Sequence, residues 1–165
     1  MVYIRKIEEF RWRAPHFYDS DTISDLHTDQ HDLSVWSYRE GDEEEKKKAL
    51  LALIMSRCEF KDFFYIELTD KEIGFLKFDI NDKEGDTQFK KYKYLHKNIE
   101  VKTVLGLTSL AWIIKKKVVR EEAVLMEVDD IKELVKQFAT PSEMSFDDLL
   151  YKGFKQIYKE CNNIK

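Results

Sequence analysis

Three of the four histidines, His16, His27 and His31, fall within 16 residues of chain. Asp19, Asp21, Asp25, Asp29 and Asp32 share that stretch. Histidine and aspartate ligate zinc, manganese and iron, and they also carry protons in general acid–base catalysis. His27 and His31 stand four residues apart, so one helical turn would place both imidazoles on one side, flanked by Asp25 and Asp29. A site built there uses His27 and His31 as ligands or as an acid–base pair. Asp25 orients one imidazole, and His16 enters from the start of the segment. Arg11 and Arg13, just upstream, would supply positive charge. Hydrolysis of a phosphate-containing substrate at 15–36 is the reaction class such a set suits. No H-E-x-x-H is present, and the competing reading is a polar loop whose Asp, Ser and Thr side chains bond nearby amides. The balance favours the loop, so no metal and no cofactor is expected. If a metal binds, its ligands are His27, His31 and Asp25.

A second cluster is basic and aromatic. Phe89, Tyr92, Tyr94 and His96 interleave with Lys90, Lys91, Lys93 and Lys97. Lysines that meet phosphates and tyrosines that stack on bases are what single-stranded nucleic acid needs. Against that, no arginine lies between Arg57 and Arg120, and guanidinium is the better bidentate reader of phosphate and guanine. Arg11, Trp12 and Arg13 form a further candidate anion-binding group. If this stretch is a strand, alternation puts the two arginines on the face opposite Trp12.

The whole chain carries 28 basic and 32 acidic residues, net −4, which excludes a globally basic nucleic-acid binder. The small net charge hides segregation. Residues 16–45 hold ten acids and one base, residues 88–120 nine bases and one acid, and residues 121–150 nine acids and two bases. No G-x-S-x-G, G-x-x-x-x-G-K-[ST] or G-x-G-x-x-G occurs, so a hydrolase elbow and the common nucleotide-binding loops are unsupported. The first expectation is therefore a non-enzymatic macromolecule-binding protein, acting on another protein through its acidic and basic surfaces. Immunity proteins, antitoxins and defence-system accessory subunits have this size and charge pattern. Nucleic-acid binding through 89–120 is the second reading, and the hydrolase at 15–36 the third.

The elements that must position these residues read as one α+β domain over 1–165. A mostly antiparallel sheet with about four helices packed mainly on one side is expected. Val2–Trp12 and Leu33–Arg39 read as strands, with Phe17–Asp32 as a long ordered loop between them. Asp42, with Glu45 three residues on, caps a helix that ends near Arg57. Asp62–Thr69 and Ile73–Ile80 read as a hairpin turning at Asp70-Lys71-Glu72. Lys102–Lys117 is a helix, apolar at Val104, Leu105, Leu107, Leu110, Ala111, Ile113 and Ile114. Val124–Val128 is a short strand, Asp129 caps a helix over Ile131–Phe138, and Ser145 caps a last helix with Met144 and Leu149 as its staple. Cys58 and Cys161 are far apart, so free thiols in the cytosol are expected. No signal peptide is read at the N-terminus, and no apolar run approaches the roughly 20 residues a membrane span needs. Lysine predominates over arginine, 22 to 6, as an AT-rich bacterial genome would produce.

Overall fold

A computed structural model describes residues 1–13, 20–26, 32–56, 60–83, 87, 90–145, 149 and 152–164, with Ser20 and Asp21 described in backbone alone. Six strands form one antiparallel sheet: β1 (Val2–Ile7), β2 (Asp32–Tyr38), β3 (Phe63–Thr69), β4 (Asp79–Asp82), β5 (His96–Glu100) and β6 (Val124–Met126). Their order across the sheet is β4-β5-β2-β1-β3-β6, and every ladder is antiparallel. The α+β class with an antiparallel sheet is what the periodicity predicts.

The helices divide between both faces, which corrects the expectation of one covered side. The reason lies in the strands. Because side chains alternate across a strand, a sheet that is apolar at both odd and even positions must be covered twice. Val2, Ile4, Trp36, Tyr38, Phe63 and Tyr65 point to one face, where α3 (Glu43–Met55), α6 (Val128–Phe138) and α7 (Lys152–Asn162) pack. Tyr3, Ile7, Leu33, Val35, Ile66, Leu68 and Ile99 point to the other. There they meet α5 (Val104–Val119), Trp12 of α1 (Glu9–Arg13), Leu26 just after α2 (Ser20–Asp25), and Ile73 of α4 (Asp70–Phe75).

Local chemistry fixes the ends of these elements. The Asp42 carboxylate accepts from the Glu45 amide at 2.9 Å, as its capping position predicts. The Glu45 carboxylate reaches past it to the Arg39 amide at 2.7 Å. Asp70-Lys71-Glu72 is not a hairpin turn. Thr69 Oγ1 accepts from the Glu72 amide at 3.3 Å, and the Glu72 carboxylate accepts from the Thr69 amide at 2.8 Å. This reciprocal cap starts a helix where a turn is expected. The returning strand shrinks to β4, which pairs with β5 and not with β3. Two further boundaries move. The Asp129 cap gives way to Asp130, which accepts from the Glu127 amide at 3.2 Å, and to Asp62, which accepts from the Val128 amide at 2.8 Å. Leu149 is buried beside Met144 in the same cluster but is not helical, so Ser145 does not open the last helix.

Candidate functional site

The polar cluster between Pro15 and Trp36 is only partly within view. His16, His27 and His31 lie outside the described residues. Asp25 lies within them, and its carboxylate has a structural task. Oδ2 accepts from the Trp12 indole N–H at 2.6 Å and from the Glu8 amide at 3.1 Å. Its carbonyl accepts from Arg5 at 3.0 Å. Asp25 thus joins the ends of α1 and α2, the two helices that replace the extended strand and the loop expected there. Arg11 donates to Ser24 Oγ at 2.8 Å and lies over the Phe10 ring, and Arg13 pairs with Glu9. In a helix Arg11, Trp12 and Arg13 no longer alternate. Trp12 turns fully inward while the arginines stay on the outer side. Among the described residues, no group of three or more His, Cys, Asp or Glu side chains is placed to hold a metal.

The basic and aromatic cluster separates in space. Residues Lys90–Leu95 form a 3₁₀ helix, and β5 follows it directly. Tyr92 is buried in the core and offers no stacking face, whereas Tyr94 is exposed. Lys91 pairs with Glu143, and Lys97 pairs with Asp82 at 2.5 Å. Lys90 is exposed and Lys93 half-buried. Elsewhere Lys83 reaches Asp32 and Lys102 reaches Glu100. The charge that is segregated along the sequence is therefore partly interleaved in the fold.

One pair with nucleophile–base geometry comes from residues 62 apart in sequence, beyond the reach of any motif. His96 Nδ1 lies 2.6 Å from the Lys83 carbonyl and Nε2 lies 3.0 Å from Ser34 Oγ. A carbonyl accepts only, so Nδ1 carries the proton and Nε2 accepts from the serine hydroxyl. Burial holds His96 below the ordinary histidine range; the Lys83 and Lys97 charges add to this, while the carbonyl bond opposes it. Ser34 nevertheless sits within β2, with its own carbonyl taken by Arg5 at 3.0 Å. It lacks the sharp strand-to-helix turn that lifts a nucleophile and leaves amides free for an oxyanion. With His96 buried and Ser34 exposed, the pair reads as a part-buried hydrogen-bonded strut across β2 and β5. A depressed histidine pKa gives an expected pH dependence. Above about pH 6.5 the imidazole is neutral in both the folded and the unfolded chain, and it costs nothing. As pH falls below that value the unfolded chain takes the proton first, and stability is lost. Thermal midpoints measured from pH 7.5 to 5.5, about one unit either side of the unfolded pKa, are expected to fall more steeply in the native protein than in His96→Gln. Parallel slopes would remove this role for His96.

An open groove lies between α4 and α5, and its cationic end belongs mostly to the basic segment 88–120. Two contiguous compartments of about 360 and 330 Å³ share the walls Phe75, Trp112 and Ile113. The first is completed by Leu76, Thr108 and Ser109. The second runs on to Lys71, Glu72, Lys116, Lys117, Arg120 and Glu122. Phe75 is 83% exposed and Trp112 47%. Lys116 lies over the Trp112 ring, 4.9 Å from its centroid. No family model, curated protein or solved structure matches this chain. The groove's own chemistry therefore carries the functional argument.

That chemistry is apolar at one end and cationic at the other. Four cations and two carboxylates line the second compartment. Lys117 engages both carboxylates, Glu72 at 3.0 Å and Glu122 at 3.2 Å. Burial works against the Glu72 carboxylate, yet the Thr69 amide and Lys117 hold its pKa below the ordinary range, so it stays charged. Arg120 is 3.9 Å from Glu122, and Lys71 and Lys116 have no carboxylate partner among the described residues. The far end keeps a positive surplus. Nothing in the sequence marks Trp112 out, because α5 is apolar nearly all round. Such a helix is normally buried, yet Val104, Leu105, Trp112 and Val119 are exposed here.

Proposed function

We propose that this chain is a protein-binding module whose working surface is the α4–α5 groove. The observation that supports it is the pairing of two exposed aromatic side chains, Phe75 and Trp112, over contiguous compartments with unpaired cations at one end. Exposed aromatics contribute little to folding, and aromatic and arginine side chains are those that dominate binding energy at protein interfaces. Each compartment is at the small end of ligand pockets, which run about 300–1,000 Å³. Two shallow adjoining compartments suit two neighbouring side chains of a docked chain better than one enclosed cofactor. Among the described residues no helix is long and apolar enough to cross a membrane, so the apolar face is not part of a spanning helix.

The partner should depend on this face and on no other. Native protein, Phe75→Ala/Trp112→Ala and a Tyr94→Ala control serve as bait in the source organism, with bound proteins identified by mass spectrometry. Binding is expected to fall at least about 30-fold for the double variant, since hot-spot truncations cost about 2 kcal/mol or more. The Tyr94 variant should bind as the native chain does. A partner retained equally by all three baits, or no protein partner lost with the double variant, would overturn the reading.

A further inference from the structure

The groove is asymmetric, and the asymmetry specifies what it takes. We propose that the docked segment carries a bulky apolar side chain with a carboxylate about two residues away; this rests on the docking reading above. The apolar side chain enters the compartment formed by Phe75, Leu76, Thr108, Trp112 and Ile113. The carboxylate reaches the compartment beyond the shared wall, where Lys71, Lys116 and Arg120 stand. Lys117 is already committed to Glu72 and Glu122, so it holds the wall together and takes no ligand.

Three features favour a carboxylate-bearing peptide over a nucleic acid. Trp112 has one ring face covered by Lys116, so a base stacking there would displace the lysine. Lys71, Lys116 and Arg120 form one small cluster at one end of the groove, whereas a nucleic-acid groove lines the track of the backbone with cations. The compartments adjoin across one pair of aromatic side chains, so they ask for two side chains pointing the same way. In an extended peptide those are residues two apart, roughly 7 Å from one another. An aliphatic or phenylalanine anchor and a glutamate at that spacing would each address one compartment.

Trp112 supplies its own probe. Trp12 and Trp36 are 0% and 3% exposed, so changes in quencher-accessible emission report on Trp112. The test uses three tryptophan-free acetylated heptapeptides: one with Phe and Glu two residues apart, one with Gln in place of Glu, and one with Ala in place of Phe. A single-stranded thymidine octamer is titrated in parallel, and the Trp112→Phe variant gives the blank. The Phe/Glu peptide is expected to bind about three- to tenfold more tightly than the Phe/Gln peptide, as two partly exposed ion pairs would produce. Raised salt should shrink that advantage. Lys71→Gln/Lys116→Gln/Arg120→Gln should erase it while the Phe/Gln peptide still binds, and the Ala peptide should not bind. Equal affinity for the Glu and Gln peptides would overturn the carboxylate assignment and leave docking intact. Saturable binding of the octamer with no response to any peptide would overturn the docking reading as well, in favour of nucleic acid. Silence with every probe would overturn both.

Discussion

Asp25→Ala is expected to lower the thermal midpoint by about 6–12 °C, with no dependence on metal. The fully buried indole of Trp12 donates to this carboxylate, and so does the amide of Glu8. Alanine takes away the acceptor and leaves both donors in place. An unsatisfied donor out of water costs about 1–3 kcal/mol, so the pair should cost about 3 kcal/mol. In a chain of this length each kcal/mol moves the midpoint by about 2–4 °C. Asp25→Asn keeps an oxygen acceptor and should lose less than half as much. The same variants separate a structural carboxylate from a ligand. Were Asp25 a metal ligand, a chelator would lower the native midpoint, and Asp25→Ala would abolish that response. Calorimetry of the three proteins with and without chelator decides it. A native midpoint that falls with chelator, or an Asp25→Ala midpoint unchanged from native, would sink the structural role.

How far the sequence could be read depended on where each determining contact sits. β2, β3, α3, α5 and α6 are legible because the apolar run or period that marks each is local, and the Asp42 cap lies within three residues of its amide. α1 was hidden because five residues carry too little period, and what holds it is a carboxylate 17 positions downstream from Glu8. Asp70-Lys71-Glu72 suits a turn and a helix start equally well. Thr69, one residue earlier, decides for the helix by exchanging bonds with Glu72. The charge runs are visible along the chain, but not which charges meet across it. Lys91 and Glu143, or Lys83 and Asp32, meet only because the fold brings distant segments together. The groove failed for a different reason. A helix apolar nearly all round carries little sequence mark for its inward face, so Val104 and Leu105 read as core and prove exposed. Which aromatic is buried and which is presented is a property of the packing.

That distinction has a measurable form in two aromatic residues. Tyr158 on α7 is fully buried, and its hydroxyl donates to the Met144 carbonyl at 2.5 Å. Its place was legible from the period of Phe154, Ile157 and Cys161, which pack in or against the same cluster. Truncation to alanine removes the ring from the α6–α7 side of the core and leaves a cavity, which for a large aromatic costs about 3–5 kcal/mol. The expected fall in thermal midpoint is about 6–20 °C. Tyr158→Phe keeps the ring and strands one carbonyl, so its loss should be nearer 1–2 kcal/mol, about 2–8 °C. Phe75 is 83% exposed, and Phe75→Ala should stay within about 0.5 kcal/mol of the native protein. Denaturant titration of the three variants reads this directly. A Tyr158→Ala loss under about 1 kcal/mol would mean that α7 is not part of the cooperative core. A Phe75→Ala loss of the same size as the Tyr158→Ala loss would mean that Phe75 belongs to the core and that the groove is closed in solution. Tyr158 is held in place by its contribution to the core, whereas Phe75 contributes little to folding; an aromatic ring held in water at the mouth of a cationic groove is what the proposed docking role would account for.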